Sequence, residues 1–165
     1  MVQVLLSFAA LPLMVVVIVP WMLASFLPIT LTKSAFQFPG MRFLSFLFFM
    51  AGILLFTKTN ILFIREGQGT LAPWQPPRKL IISGPYRCMR HPMITGVLCL
   101  LAAEIFLLGS WAAVVWFFFF LAVNLIYLPL VEEKKLLTIF GEDYQRYQRH
   151  VPAVFPRCKK QDPEK

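Results

Sequence analysis

The chain has 165 residues, of which 58% are hydrophobic and only 15% are charged, against roughly 25% charged residues in an average soluble domain. This composition argues against a soluble globular protein, and the length leaves room for one domain. The chain carries 16 Lys and Arg against 8 Asp and Glu, and only Lys33, Arg42 and Lys58 precede Arg65. The first part of the chain is therefore lipid-like, whereas the second part meets water.

Four apolar stretches are long enough, or nearly so, for the roughly 20 residues that cross a bilayer as a helix. They are residues 2–27, 43–64, 93–109 and 111–131. The first lacks a basic leader region and a small-residue cleavage site, so we interpret it as a retained helix, bent at Pro12 or Pro20. The last two are joined by little more than Gly109-Ser110, which predicts a tight helical hairpin. We therefore predict an all-α integral membrane protein with four transmembrane helices.

The basic residues predict the orientation of these helices, because Lys and Arg resist translocation. The loop at residues 65–92 carries five of them and the tail from Glu132 carries eight, whereas the hairpin tip carries none. Both basic regions, and with them both termini, are expected on the cytoplasmic side. Since cytoplasmic loops of membrane proteins are ordinarily basic, the charge does not point to nucleic acid, and no such partner is expected.

The loop at residues 65–92 contains five prolines and three glycines, which forbid a regular helix through most of it. It also contains apolar residues such as Trp74 and Tyr86, which allow it to fold back on the protein as ordered functional loops do. Composition alone leaves a rigid connector at the membrane surface as an equal alternative.

The tail at residues 132–151 has apolar residues at spacings of three and four, which predicts an amphipathic helix. Gly141 weakens the prediction of an unbroken helix, because a mid-helix glycine costs about 1 kcal/mol relative to alanine. The tail has two interpretations, an interfacial helix on anionic lipid or a lid over a ligand. Glu132 and Glu133 stand where the last span emerges, and as simple N-terminal charges they would stabilise the helix dipole.

Glu104 lies inside the third span, where a charged carboxylate costs several kcal/mol, about 3 on insertion scales. It is expected to be protonated, paired or turned toward a polar cavity, with Asn124 as a candidate partner. A functional role and a structural hydrogen bond stay equally open. The three cysteines, Cys88, Cys99 and Cys158, are odd in number and lack metal-type spacing, so neither a disulfide framework nor a zinc site is implied. With only two histidines, no metal is expected.

Several short motifs follow one another in a characteristic order. They are Gly-x-Gly at 67–69, Ser83-Gly84-Pro85-Tyr86, Arg90-His91-Pro92, Glu132-Glu133-x-x-Leu136, Phe140-Gly141-x-x-Tyr144-x-x-Tyr147 and Val151-Pro152. This ordered set resembles the isoprenylcysteine carboxyl methyltransferases and their bacterial and archaeal relatives, with phosphatidylethanolamine N-methyltransferases as more distant kin. The resemblance covers residues 65–156, and its specificity lies in the order of the motifs.

The resemblance implies S-adenosylmethionine bound between the cytoplasmic loop, the cytoplasmic ends of the last two spans and the folded-back tail. By motif position, the cofactor-binding residues would be Gly67, Gly69, Arg78, Lys79, Leu80, Ile81, Tyr86, Arg90, His91, Pro92, Met93, Ile94, Glu132, Glu133 and Tyr144. Arg90 can hold the cofactor carboxylate, the acids can accept from its ammonium or ribose hydroxyls, and an aromatic ring can face the sulfonium.

The implied reaction is in-line displacement of the methyl group by a nucleophile that enters from the bilayer, which requires mainly positioning. Arg90 and Glu104 are the candidate catalytic residues, Glu104 as a polar group at the lipid-side mouth. The acceptor is expected to be lipophilic: a lipid amine, a thiol or a carboxylate. Carboxyl-methylating relatives carry an arginine and a further acid just ahead of the acidic pair, whereas residues 126–131 read Ile-Tyr-Leu-Pro-Leu-Val here. A prenylcysteine carboxylate is therefore disfavoured.

Two other functions compete with this prediction. One is a nicotinamide-dependent membrane reductase, because sterol reductases share a related C-terminal fold, although they are much longer. The other is a non-enzymatic small membrane protein whose basic tail binds anionic lipid. The oligomeric state is left open.

Overall fold

The computed structural model describes residues 14–26, 40–66 and 79–158. In chain order these contain a π-helical turn Met14–Ile18, α1 (Val19–Phe26), α2 (Met41–Glu66), a 3-10 turn Gly84–Arg87, α3 (Pro92–Leu108), α4 (Trp111–Tyr127), a π-helical turn Leu128–Glu132 and α5 (Glu133–His150). All regular structure in these ranges is helical, which agrees with the all-α prediction.

Two helical stretches are long and apolar enough to cross a membrane: α2, and the run that begins with α4 at Trp111. The third predicted span, α3, is apolar but has only 17 residues. Of the first predicted span, residues 2–13 and residue 27 lie outside the described part of the chain. The arrangement with four spans therefore stays a prediction.

Helices α2 and α3 pack antiparallel through small residues. The Ser45 hydroxyl donates to the Ala103 carbonyl at 2.8 Å. Seven residues along α2, a Cβ added to Gly52 would lie 2.9 Å from the Leu100 side chain and 3.0 Å from the Gly96 carbonyl oxygen. Because such distances are too short for real carbon atoms, the glycine is what allows the two backbones to approach.

Helices α3 and α4 form the predicted tight hairpin. Gly109 adopts a left-handed conformation with φ 59° and ends α3, its N–H donating to the Ile105 carbonyl. Ser110 caps α4 by accepting from the N–H of Ala113. These two local signals, a left-handed glycine after one helix and a serine cap before the next, reverse the chain within two residues.

The passage from α4 to α5 contains a π-helical turn. Pro129 has no N–H and its ring crowds the preceding turn, and the N–H of Glu133 donates to the Leu128 carbonyl five residues back. Such a turn changes which face of the helix the following residues occupy, and it is common at functional sites. Glu132 and Glu133 therefore leave the apolar span at an irregular point of the backbone.

Helix α5 is broken at Gly141, which has φ 55° and ψ −126°, a backbone conformation that is essentially restricted to glycine. The side chains of Glu133 and Gln148 lie 2.7 Å apart, although 15 residues of straight helix would separate their backbones by about 22 Å. The chain therefore folds back at Gly141, and the tail helix is interrupted at the residue that weakened its prediction.

The segment after α5 packs against the residues that precede α3. The N–H groups of Arg90 and His91 donate to the carbonyls of Pro152 and Ala153 at 2.8 and 2.9 Å. Cys88 and Cys158 form a disulfide across 70 residues of sequence. The expectation that the cysteines imply no disulfide is therefore wrong for this pair, because only the return of the tail brings these distant residues together.

Candidate active site

Polar side chains from three parts of the chain converge at the beginning of α3. Arg90 and His91 come from the loop, Glu132 and Glu133 from the end of the π-helical turn and the start of α5, and Gln148 from the segment beyond the Gly141 reversal. These residues lie where the apolar helices end and the charged part of the chain begins.

The loop reaches this position through a tight turn that contacts the end of α2. Gly84 has φ 54°, and a Cβ there would lie 3.3 Å from the Leu62 side chain. The Ser83 hydroxyl donates to the carboxylate of Glu66, the last residue of α2. Pro85 is the second residue of the 3-10 turn, where its fixed φ is favourable. The Ser-Gly-Pro-Tyr motif therefore acts locally as the device that ties the loop to α2.

His91 lies between two carboxylates. Its Nδ1 is 3.5 Å from Glu132 Oε1 and its Nε2 is 3.3 Å from Glu133 Oε1, and the residue is only 5% exposed. Burial lowers the pKa of His91, but the hydrogen bonds and negative charges of the two carboxylates outweigh burial and raise it above its usual value. With a carboxylate facing each nitrogen, the ring is stabilised as a cation.

Glu133 is the most connected residue of the site. Its Oε1 lies 2.8 Å from Arg90 Nη1 as well as near His91, and its Oε2 accepts from Gln148 Nε2 at 2.7 Å. Burial raises the pKa of Glu133, but His91, Arg90 and Gln148 together lower it below its usual value. The structure therefore favours an ionised carboxylate with both oxygens occupied.

Three tyrosines close one side of the site. The Tyr147 hydroxyl donates to the Tyr86 carbonyl at 2.6 Å and so joins the tail to the loop. Burial and the charge of Glu133 raise the pKa of Tyr144 to about 12, and burial also raises the pKa of Tyr86 and of Tyr147. All three are neutral phenols at physiological pH.

Nε and Nη1 of Arg90 and the hydroxyl oxygen of Tyr144 are buried and make no hydrogen bond of full geometry within the described ranges, although the guanidinium lies close enough to the phenol to lower its pKa in part. Arg90 Nη1 and Glu133 Oε1 form a close ion pair, but the N–H bond of Nη1 does not point at the carboxylate oxygen well enough to count as a hydrogen bond. Buried polar groups in native proteins almost always have partners. A guanidinium and a phenol with spare donors suit a ligand that offers acceptor oxygens, such as a carboxylate.

The structure brings together six of the predicted site residues, namely Tyr86, Arg90, His91, Glu132, Glu133 and Tyr144. Leu80 packs against the tyrosines of the tail, and Ile94 packs against the apolar core that contains Leu98 and Leu128. Ile81 and Pro92 are buried, Met93 is half-buried and Lys79 is exposed. Gly67, Gly69 and Arg78 lie outside the described residues.

Glu104 is not among the residues that converge. It follows Pro92 by 12 positions in α3, which corresponds to about 18 Å along the helix. Asn124, its candidate partner, donates to the Phe120 carbonyl of its own helix. A role for Glu104 in the reaction therefore stays a proposal without support from proximity.

Sequence reasoning missed Gln148 as a site residue and did not assign Tyr147 a role there. Tyr147 and Gln148 follow Tyr144 by three and four residues, so both lie on the same helical face as Tyr144. The glycine in the middle of the tail was the available signal, because a reversal at Gly141 turns that face back toward Glu133. Nothing in the local pattern marks a glutamine as the partner of a carboxylate 15 residues away.

Comparisons with known proteins match a part of the chain that includes Arg90, His91, Glu132 and Glu133. The profile of the phospholipid methyltransferase family matches residues 40–143. A methanethiol S-methyltransferase of Pseudomonas deceptionensis is 33% identical over an alignment that covers 46% of this chain and 28% of that protein. The alignment thus spans little more than a quarter of the relative's length. No solved structure matches the chain.

Proposed function

Because this chain belongs to the phospholipid methyltransferase family, we propose that this membrane enzyme transfers a methyl group from S-adenosylmethionine to a lipophilic acceptor. The observation that carries the proposal is the buried guanidinium of Arg90, whose Nε makes no hydrogen bond within the described part of the chain. It lies beside the acidic pair that the sequence resemblance assigns to this cofactor.

The residues of the site fit the polar groups of the cofactor. The guanidinium of Arg90 is planar and presents its donors as a fork, which matches a carboxylate. The side chain of Glu132 is 41% exposed and has one oxygen near His91, so it remains accessible to a ligand ammonium or ribose hydroxyl. Glu133, whose two oxygens are occupied, holds Arg90 and His91 in place.

Bound S-adenosylmethionine supplies a methyl group on a positively charged sulfur that leaves as a neutral thioether. The contribution of the protein is positioning and the exclusion of water. Neutral tyrosine rings suit the neighbourhood of a sulfonium, because their π faces attract a cation without binding it as tightly as a carboxylate would. The bond between Tyr147 and the Tyr86 carbonyl keeps the tail closed over the loop.

For the acceptor we propose a small hydrophobic thiol. The similar protein from Pseudomonas deceptionensis is named for the S-methylation of methanethiol. Leu130 and Val131, just ahead of the acidic pair, are half exposed and apolar, so they provide no cation for an acidic acceptor. The description of the family favours a second candidate, the amine of a phospholipid headgroup.

A thiol must lose its proton before it attacks, and His91 is poorly suited to remove it. Both ring nitrogens face carboxylates, and these raise the pKa of His91, so the ring gives neither nitrogen freely to an acceptor thiol. We therefore expect the thiol to react as the thiolate formed in water, so that the rate follows the ionisation of the acceptor.

We further propose that the site lies at the cytoplasmic face. The loop and the tail meet in the structure, so they stand on the same side of the membrane, and both carry the basic residues that cytoplasmic segments retain. Four spans with both termini inside satisfy this arrangement.

Calorimetry with the detergent-purified chain tests the cofactor. We expect S-adenosylmethionine and its demethylated product to bind, and Arg90→Ala to weaken S-adenosylmethionine binding tenfold or more, about 1.4 kcal/mol. Arg87→Ala is the matched control, because Arg87 is exposed and lies only three residues before Arg90. The absence of binding heat with folded, monodisperse wild-type protein would overturn the proposal.

Release of the demethylated product with methanethiol, longer alkanethiols or phosphatidylethanolamine as added acceptor then separates the two acceptor classes. Product release only with thiols supports the thiol proposal. Product release only with phosphatidylethanolamine would replace the thiol by a lipid amine while leaving the cofactor proposal intact.

A further inference from the structure

The carboxylate of Glu133 has two oxygens with different partners. Oε1 lies near two cations, Arg90 Nη1 at 2.8 Å and His91 Nε2 at 3.3 Å. Oε2 accepts a hydrogen bond from Gln148 Nε2 at 2.7 Å. Glu133 is only 4% exposed, so water cannot readily replace any of these partners. The rotation of the carboxylate is therefore set by the glutamine on one side and the cations on the other.

The close contact between Glu133 and Arg90 joins Oε1 to Nη1 at 2.8 Å. Arg90 Nε and Nη1 make no hydrogen bond within the described part of the chain, although Nη1 is close to Oε1. The preferred arrangement of an arginine and a carboxylate is a fork with two parallel hydrogen bonds. This site therefore contains the two groups that could form such a fork, held in a geometry that leaves guanidinium donors available.

Gln148 is the hydrogen-bond partner of Oε2, through its amide at 2.7 Å. Without its amide, Oε2 would be a buried carboxylate oxygen with no donor, which is strongly unfavourable. The nearest remedy is a rotation of Glu133 that brings Oε2 to Arg90 and completes the fork. In that arrangement the guanidinium donors would be used internally, and a ligand carboxylate would have to displace them.

We propose that Gln148 is a positioning residue that restrains Glu133 so that Arg90 stays open to the carboxylate of the methyl donor. The inference rests on the proposed function, because it takes S-adenosylmethionine as the donor. It extends that function to a residue beyond the family match, which ends at residue 143. It also gives the Gly141 reversal a purpose, since the reversal is what returns Gln148 to Glu133.

The test compares two donors that differ only in the carboxylate: S-adenosylmethionine and decarboxylated S-adenosylmethionine. Calorimetry of wild-type protein should show a preference for the donor with the carboxylate. In Gln148→Leu we expect the affinity for S-adenosylmethionine to fall about tenfold, while the affinity for the decarboxylated compound changes less than about threefold. A merely structural role of Gln148 would weaken both donors equally.

Two variants serve as references. Gln145→Leu makes the same replacement three residues earlier, at an exposed position of the same helical segment, and should bind both donors as the wild type does. Arg90→Ala should abolish the preference for the carboxylate altogether. Should Gln148→Leu unfold in detergent, Gln148→Met preserves the length of the side chain without its amide and takes its place.

The possible results separate the two claims. Loss of affinity confined to S-adenosylmethionine supports the inference. The inference is overturned if Gln148→Leu binds both donors equally more weakly, or binds both as the wild type does. The proposed function still stands in that case if the wild type binds S-adenosylmethionine and Arg90→Ala removes the preference for the carboxylate. If wild-type protein binds neither donor, the proposed function and the inference fall together.

Discussion

The helices inside the apolar half and the polar site at its edge are held by different physics. Helices α2 and α3 are fitted by shape, through Gly52 and a serine hydroxyl bonded to a carbonyl. The site depends on directional contacts between residues far apart in sequence, such as His91 with Glu133 and Tyr147 with Tyr86. Packing between the helices is spread over many residues, whereas the site depends on a few individual contacts. Single substitutions should therefore affect stability and ligand binding differently in the two regions.

Removal of the central carboxylate should give the largest effect. Glu133→Ala leaves Arg90 and His91 as buried cations without their shared partner, a change that typically costs about 3–5 kcal/mol. We expect a large fall in the thermal unfolding temperature of detergent-purified protein. Glu142→Ala, at an exposed position of the same tail, is the control and should leave the temperature nearly unchanged. An equal shift in both variants would contradict the network.

The same network predicts how stability depends on pH. The raised pKa of His91 adds stability that is complete below its ordinary value and is lost as pH rises through the folded-state pKa. The lowered pKa of Glu133 adds stability that is complete above its ordinary value and is lost as pH falls through the folded-state pKa. Wild-type protein should therefore be most stable between those ordinary values, about 4.5 and 6.5, and Glu133→Ala should flatten this maximum.

The disulfide between Cys88 and Cys158 attaches the tail to the loop covalently, in addition to the hydrogen bonds of the site. Cross-links typically contribute about 2–4 kcal/mol by restricting the unfolded chain. Cys158→Ser, or a thiol reductant, should lower the unfolding temperature, whereas Cys99→Ser should not, since Cys99 is a free thiol. In a reducing cytoplasm the pair would be open, and the tail would be held by its hydrogen bonds alone, both backbone and side-chain. An unfolding temperature insensitive to both treatments would show that the bond does not form in the protein.

The reversal at Gly141 is the next most sensitive point. Alanine there must adopt φ 55° and ψ −126°, which costs about 1–3 kcal/mol, even though a Cβ would meet nothing within 4 Å. We expect Gly141→Ala to lower stability by that amount and to weaken S-adenosylmethionine binding, because Gln148 no longer returns to Glu133. Gly40→Ala, where a Cβ also meets nothing within 4 Å, should do neither. Unchanged binding in Gly141→Ala would separate the reversal from the site.

What the sequence could and could not predict follows the same division. Long apolar runs, and a glycine followed by a serine between two of them, are local signals, and they predicted helices α2, α3 and α4 and the hairpin. Arg90, His91 and the acidic pair could be predicted as one group because their motifs are compact, and the structure brings them together. Gln148 and the bond between Cys88 and Cys158 were missed, because both depend on a chain reversal whose local signal is one glycine. The predicted role of Gly67 and Gly69 in binding the cofactor stays a prediction, because residues 67–78 lie outside the described part of the chain.

A substitution in the helical half should give the smallest effect and the clearest separation. Gly52→Ala forces a Cβ toward Leu100 and the Gly96 carbonyl, and overpacking of this kind costs about 1–3 kcal/mol. The lower part of that range is expected, because the Leu100 side chain can move and only the carbonyl is rigid. The variant should unfold at a lower temperature yet bind S-adenosylmethionine with unchanged affinity, whereas Gln148→Leu should lose affinity. If its affinity falls as well, the two halves are coupled, and packing between α2 and α3 helps to set the geometry at the start of α3.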